Sequence, residues 1–375
     1  MVSPIDDLHA IGQSLWYDNI HRNKLVNGEL AAMISRGEIR GITSNPSIFN
    51  QAISISGDYD EELTNLAKAG LDTEQIYDQL VTKDICAATE LFGPLFQESR
   101  GGDGYVSLEV NPNLAHDTEA TIKEARRLWN LVNRPNLMVK IPATQEGLPA
   151  ITQCISAGIN INVTLIFSLK RYADVIAAFL YGLEYRQRAG EPIDGIASVA
   201  SFFVSRIDTK VDKKLQEIIK RGGIEAKLAD GILGEAAIAS TKIAYGQYLE
   251  VFEGKTFAEI KEHGGRAQRP LWASTSTKNP VYSDVKYVEG LIGPNTINTV
   301  PEHTLEAFKE HGQARLTLTE NLTDAQSALQ ALEELGISME QVTQELEDEG
   351  VKAFADSYNA LLATIETRRE SARRQ

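Results

Sequence analysis

Lys140 stands in the run Leu137-Met138-Val139-Lys140-Ile141-Pro142, an ammonium set among apolar side chains. Burying such a charge without compensation is costly, so the amine must be paired or neutralised. Desolvation favours the neutral form of an amine, and that form attacks a carbonyl to give an imine. The reaction passes through a carbinolamine that loses water, so protons have to be moved. Glu109, in Val106-Ser107-Leu108-Glu109-Val110, and Asp18, which follows Leu15-Trp16-Tyr17, are carboxylates that could move them. The six histidines (His9, His21, His116, His263, His303 and His311) lie outside these runs, so neither a histidine base nor a histidine-rich metal site is expected. Gly101-Gly102-Asp103-Gly104 precedes an apolar run instead of joining strand to helix, which reads as a turn and not as a nucleotide loop.

Parity within the runs says how these groups are presented. Side chains alternate across a strand. Leu137, Val139 and Ile141 therefore share one face, and Lys140 lies on the other with Met138. Glu109 lies opposite Val106, Leu108 and Val110 by more than one repeat of the same pattern. Asn162 and Thr164 lie opposite Ile161, Val163 and Leu165. A central parallel strand is normally apolar on both faces. Here one face is aliphatic and the other carries charge and amide near the carboxyl end, where (β/α)8 barrels place their catalytic groups.

Eight strand candidates can be marked: Ser14–Tyr17, Gly41–Ser44, Tyr105–Val110, Leu137–Ile141, Ile161–Phe167, Ala197–Phe203, Leu271–Ser274 and Val285–Val288. Between several of them lie amphipathic stretches. In 117–132, Ile122, Ala125, Leu128, Trp129 and Val132 recur at helical spacing, with Asp117 and Thr118 as candidate caps. Strands separated by helices predict parallel pairing, and eight of them predict an α/β fold, a (β/α)8 TIM barrel with extra helices. Residues 50–104 and 204–269 each hold more than one helix by pattern and read as insertions in one barrel domain spanning 1–375. From about residue 302 the chain turns helical: 322–335 is stopped by Gly336, and 339–374 is rich in Glu, Ala and Leu, a C-terminal helical extension.

Composition narrows the partners. The 375 residues are 42% hydrophobic and 24% charged, enough for a large core. A formal net charge of −15 argues against nucleic acid or an anionic membrane surface as the main partner. A small anion remains compatible, because a few local cations and N–H groups dominate a small pocket. Arg206, which follows the sixth run, and the turn Ser274-Thr275-Ser276-Thr277-Lys278 after the seventh offer hydroxyls, N–H groups and charge suited to a phosphate. Cys86 and Cys154 lie in apolar segments and read as buried thiols of a reducing compartment. The opening Met-Val-Ser-Pro-Ile-Asp-Asp has neither a basic start nor an apolar run, and a cytoplasmic protein, monomer or homodimer, is expected.

Set in order, these strand-end motifs resemble those of the transaldolase family. Gly41-Ile42-Thr43-Ser44-Asn45-Pro46-Ser47-Ile48-Phe49 is similar to its second-strand signature. Val139-Lys140-Ile141-Pro142-Ala143-Thr144 resembles the segment around its Schiff-base lysine, and Gly158-Ile159-Asn160-Ile161-Asn162-Val163-Thr164-Leu165-Ile166-Phe167-Ser168 resembles its fifth strand. The likeness runs from Ser14 into the C-terminal helices, which resemble the longer bacterial branch. It implies that Lys140 forms the imine, that Asp18 is the acid/base on the C4 hydroxyl, and that Glu109 and Thr164 activate a water. It further implies that Asn45 and Asn162 orient a dihydroxyacetone unit, that Ser201 binds a substrate hydroxyl, and that Arg206, Ser274 and Lys278 hold the phosphate. The implied reaction moves dihydroxyacetone from sedoheptulose 7-phosphate to glyceraldehyde 3-phosphate in the non-oxidative pentose phosphate pathway, with sugar phosphates as partners and no metal or organic cofactor. Another branch ends the phosphate loop in Ser-Phe-Arg where this chain has Lys278; a lysine acts as a point charge and not as a bidentate fork. The nearest alternative is a fructose 6-phosphate aldolase, which resembles this family but carries glutamine at the position of Glu109. A non-catalytic barrel and a metal-dependent lyase are the alternatives of other classes.

Overall fold

The computed structural model describes residues 3–374, so the first two residues of the N-terminal stretch lie outside the described residues. Seven strands form one parallel sheet: β1 (Gln13–Tyr17), β2 (Val106–Glu109), β3 (Leu137–Pro142), β4 (Ile161–Ile166), β5 (Ser198–Phe203), β6 (Arg269–Ala273) and β7 (Thr296–Val300). Their order is β1-β7-β6-β5-β4-β3-β2, every pair parallel. The gap between β1 and β2 is closed by residue 42, which bridges Tyr17 on one side and Val106 on the other, both in parallel sense. Tyr17 N–H donates to Gly41 O, Thr43 N–H to Tyr17 O, Ile42 N–H to Tyr105 O and Ser107 N–H to Ile42 O, at 2.9 to 3.0 Å. The expected strand Gly41–Ser44 is thus present as a ladder around one bridging residue, and the result is an eight-membered (β/α) barrel with helical additions.

One expected strand is misplaced. Residues 285–288 are not the eighth strand: Lys286–Glu289 is a short helix, and the eighth position is taken by β7 (Thr296–Val300). The Thr296-Ile297-Asn298-Thr299-Val300 run lacks a hydrophobic pattern because its polar groups are satisfied inside the barrel. Asn298 Oδ1 accepts from Thr275 Oγ1 at 2.7 Å, and Thr296 Oγ1 donates to Gly293 O at 2.6 Å while accepting from Gln13 Nε2 at 2.9 Å. A buried polar strand is stable when each group finds a partner.

The helical segments follow their patterns. Helix Thr118–Val132 is capped by Asp117, whose side chain accepts from Ala120 N–H, and it buries Ile122, Ala125, Leu128 and Val132. The stretch 50–104 contains Asp60–Lys68 and Thr73–Glu98; 204–269 contains Ser205–Arg221, Gly223–Asp230, Ala236–Phe252 and Lys255–Glu262. Helix Leu322–Glu334 stops before Gly336, whose φ of +73° is left-handed. The 36-residue helix Met339–Arg374 buries Phe354, Tyr358, Leu361 and Ile365, one stripe at helical spacing. That stripe lies across the strand ends: the helix packs on Pro46–Ile55 and Asp60–Lys68 and touches β4.

Gly41 shows how tight the closure is. A Cβ placed there would sit 2.5 Å from the indole ring of fully buried Trp16. Gly41→Ala should lower stability by roughly 1–3 kcal/mol, as overpacking does, seen as a lower urea midpoint with the slope unchanged. A midpoint equal to wild type would show that the 41–43 ladder is not tightly packed against β1.

Candidate active site

Asp18, Asn45, Glu109, Arg206, Ser274 and Lys278 lie at the carboxyl ends of the barrel strands or just beyond, whereas Lys140, Thr164 and Ser201 are each the fourth residue of a six-residue strand and Asn162 the second. Lys140 is the fourth residue of β3, is 3% exposed, and faces its register partners Glu109 on β2 and Asn162 on β4. Its Nζ lies 3.4 Å from Glu109 Oε2 and donates to Ser44 O at 3.2 Å. The ring of Phe354, from helix Met339–Arg374, is centred 5.7 Å from the same nitrogen, within cation–π range. The amine is therefore held by a carboxylate, a carbonyl and an aromatic face.

The two carboxylates have different settings. Burial pushes Glu109 up to about 7, against the nearby Lys140 charge and its hydrogen bond, with Asp18 adding a further upward push. Asp18 follows β1 at the cavity edge. Burial raises it too, while Lys140, the hydroxyl of Thr43, Arg206 and Lys278 pull it down. Thr43 Oγ1 donates to Asp18 Oδ1 at 2.7 Å and lies 2.6 Å from Thr299 Oγ1. Both acids can hold a proton at neutral pH more readily than a free side chain, which is what proton transfer near pH 7 requires.

Asn162 is locked. Its Nδ2 donates to Ser107 Oγ at 3.0 Å and its Oδ1 accepts from Ser201 Oγ at 2.7 Å. Thr164 lies one pleat repeat beyond Asn162, at a point where β4 kinks. Leu165 has a φ of +59° and the register with β5 shifts between Val163 and Ile166. The buried hydroxyl of Thr164 has no hydrogen-bond partner among the described residues, and Glu109 Oε2 has only its ion-pair contact with Lys140. Each has capacity left to accept or share a hydrogen bond with a reacting molecule, and leaving a buried polar atom unsatisfied is costly.

A cavity opens above Lys140. Asp18, Asn45, Lys140, Ser201, Arg206, Ser274 and Lys278 all line it. Glu109, Asn162 and Thr164 are not on its wall; they are buried among the strand residues around Lys140. Asn45 also caps helix Pro46–Ile55, its Oδ1 accepting from Ile48 N–H at 3.1 Å, which leaves its amide N–H2 for the cavity.

The cationic part has a distinct composition. Arg206 is the second residue of helix Ser205–Arg221, which has no side-chain N-cap. Burial lowers both Arg206 and Lys278, and the Arg206 charge lowers Lys278 further. Among the described residues neither forms an ion pair within 4.0 Å. Two like charges, half-buried Arg206 and exposed Lys278, stand beside a helix N-terminus with Asp18 acting on both, a grouping whose chemistry suits a small dianion. Ser274 stands beside them in a left-handed conformation (φ +54°), its Oγ 3.2 Å from Ser205 Oγ.

Several wall residues are not marked as candidates by the sequence, Thr299, His303 and Phe354 among them. Thr299 belongs to β7, where no strand was expected, and His303 is the second residue of the following helix Glu302–His311, exposed at the mouth. Phe354 comes from the C-terminal helix. Its apolar stripe is legible at helical spacing, but the spacing carries no information on what the stripe covers.

Comparison with known proteins shows the family. The model of a family described as transaldolase/fructose-6-phosphate aldolase matches residues 15–365. The chain is similar to a protein named transaldolase from Acidothermus cellulolyticus, 48% identical over 376 residues that cover 100% of this chain and 99% of the relative. Proteins of the same name from Saccharopolyspora erythraea (45% over 372 residues, 99% of each chain) and Trichodesmium erythraeum (44% over 365 residues, 96% of each) are similar along the same length.

Proposed function

Because the chain belongs to the transaldolase/fructose-6-phosphate aldolase family and is an enzyme that transfers ketonic residues, we propose that it moves a dihydroxyacetone unit between sugar phosphates through an imine on Lys140. The observation that carries this is the amine of Lys140 set 3.4 Å from the carboxylate of Glu109 at the floor of a cavity with a cationic rim. The ketose carbonyl meets the Lys140 amine, and the carbinolamine so formed loses its hydroxyl as water, taking a proton from Glu109. The same carboxylate, with Thr164, then orients water for the reverse step. Asp18 takes the proton from the C4 hydroxyl, the C3–C4 bond breaks, and its electrons stay on the enzyme-bound three-carbon unit as an enamine. The aldose phosphate leaves, another aldehyde enters, and the enamine carbon attacks it while Asp18 returns the proton. Asn45 and Asn162 orient the three-carbon unit, and Ser201 binds a hydroxyl and fixes Asn162. Arg206, Ser274 and Lys278 hold the phosphate. The donor and acceptor are those of the non-oxidative pentose phosphate pathway, sedoheptulose 7-phosphate and glyceraldehyde 3-phosphate, and the location follows as cytoplasmic.

The test separates transfer from simple cleavage. With fructose 6-phosphate and erythrose 4-phosphate the protein should make sedoheptulose 7-phosphate at least ~10-fold faster than it frees dihydroxyacetone when no acceptor is present. Free dihydroxyacetone at the transfer rate would make it an aldolase. The rim makes its own prediction. Arg206→Ala should raise KM for fructose 6-phosphate about 10- to 100-fold, the loss of one charge-assisted contact, while leaving the slow cleavage of unphosphorylated fructose nearly unchanged. Equal losses for both ketoses would place Arg206 outside phosphate recognition.

A further inference from the structure

The cationic rim is made by two separate elements, and something has to keep them together. Arg206 is on helix Ser205–Arg221, whereas Lys278 is on the irregular loop between β6 and the short helix Lys286–Glu289. Their like charges repel, and Lys278 is lowered by burial first and by the Arg206 charge second. Among the described residues Lys278 makes one side-chain hydrogen bond, from Nζ to the neighbouring Ser276 Oγ at 2.6 Å. A cavity runs between helix and loop on the far side of Lys278, walled by Thr209, Lys213, Gln216, Asn279 and Pro280, so the two are not packed face to face there.

What spans that gap is a pair of tyrosine–carboxylate contacts. Tyr282 OH donates to Asp212 Oδ2 and Tyr287 OH to Asp208 Oδ2, each at 2.8 Å. Both acids are buried, and both are on the helix that carries Arg206, two and six residues after it. Their other oxygens are fastened from a third direction: Gly234 N–H donates to Asp212 Oδ1 at 2.9 Å and Ala237 N–H to Asp208 Oδ1 at 2.7 Å. Lys286 adds a clamp on the loop side, its Nζ 4.0 Å from the centre of the Tyr282 ring and 3.9 Å from Asp208 Oδ2. At the loop's other end Thr275 Oγ1 donates to Asn298 Oδ1. Lys278 is therefore suspended between anchors at 275 and at 282–287, and the second anchor is bolted to the helix of Arg206.

We propose that Asp208 and Asp212 are positioning residues for the anion site: by holding Tyr287 and Tyr282 they keep the Lys278 loop against the helix of Arg206, so that both cations face one phosphate. The proposal rests on the phosphate reading of the rim given above. A displaced cation costs affinity for the charged end of a substrate and leaves the chemistry at Lys140 alone, since neither acid touches the cavity that Lys140 lines.

Tyr282→Phe removes one hydroxyl from a half-buried ring and should leave the fold intact; Asp212→Asn is the partner variant. Each should raise KM for fructose 6-phosphate about fivefold, the worth of one hydrogen bond, with kcat little changed. Cleavage of unphosphorylated fructose and the melting temperature should stay near wild type. Combining the two should add little beyond either alone, because both break the same contact. Unchanged KM in both variants, with Arg206→Ala still selective for the phosphorylated ketose, would overturn the positioning role while leaving the phosphate site standing. If Arg206→Ala itself shows no such selectivity, the phosphate reading fails first. Equal loss on both ketoses would show a general structural role and overturn the proposal.

Discussion

Sodium borohydride added to the protein with fructose 6-phosphate will fix a reduced three-carbon adduct on Lys140 and on no other lysine, and Lys140→Ala will lose at least ~10³-fold in transfer activity. The lysine is not the only amine that could be trapped. Lys278 lines the same cavity and burial lowers it, and Lys242 is also buried and lowered, its Nζ donating to Glu320 O at 2.7 Å. Nucleophilicity toward a carbonyl, however, needs more than a neutral nitrogen. The carbinolamine hydroxyl leaves only if an acid stands beside it, and of the three lysines only Lys140 has a buried carboxyl within 3.4 Å whose protonated form is populated near neutrality. It also rises from the middle of a strand, where backbone pairing on both sides holds its position, whereas Lys278 hangs on a loop. Removing one partner of a buried ion pair commonly costs ~3–5 kcal/mol because the other charge is stranded. Lys140→Ala should escape most of that, since the lysine is what holds Glu109 down and without it the carboxyl takes up a proton. The variant should therefore be folded at pH 7 and inactive. Mapping the adduct to Lys278, or finding transfer in Lys140→Ala, would refute the assignment; an adduct retained in Lys278→Ala supports it.

How far the sequence alone reached depended on whether a signal was local. Lys140, Glu109, Asn162 and Thr164 were legible because each interrupts an aliphatic run, and the period of two then assigns them to one face. The strand around Ile42 was legible only through the residues that follow it; a ladder of three residues has no periodicity. The eighth strand was missed for a physical reason. Thr296, Asn298 and Thr299 are buried by side-chain partners from Gln13, Thr275 and Thr43, distant in sequence, so the hydrophobic signal that marks a buried strand is absent. The apolar residues at 285–288 belong to a helix turn whose Tyr287 and Val288 face the core. With β7 misplaced, Thr299 and His303 could not be assigned to the cavity. The rim cations were legible as charge after a strand, yet their tethers were not: Asp208 and Asp212 look like ordinary polar positions of an amphipathic helix until Tyr282 and Tyr287 come across the gap.

Glu109→Gln will separate the two duties of that carboxyl, and pH is the variable that does it. In the folded protein Glu109 sits at about 7 against an ordinary value of 4.5. Between those two pH values the folded chain holds a proton that the unfolded chain has released. Stability therefore falls as pH rises through that window, by on the order of 3 kcal/mol, and levels off above it. Glutamine has no such proton, so the variant should lose this slope, and its unfolding free energy should exceed that of wild type most clearly above pH 7. Catalysis should move the other way. At pH 7 the wild-type group is divided between acid and base, so it can protonate the leaving hydroxyl and later deprotonate the attacking water; glutamine does neither. Transfer should fall ~10²- to 10³-fold, the usual worth of general acid–base help, and the limb of the kcat/KM profile near pH 7 should disappear. Because the amine is still present, borohydride should still trap Lys140, only more slowly. A variant that gains stability at pH 8 while losing activity would be one whose acid is kept for chemistry at the expense of the fold. One that keeps the wild-type pH slope in both unfolding and turnover would show that the titrating group beside Lys140 is not Glu109, and Asp18, also raised by burial, would be the next to test.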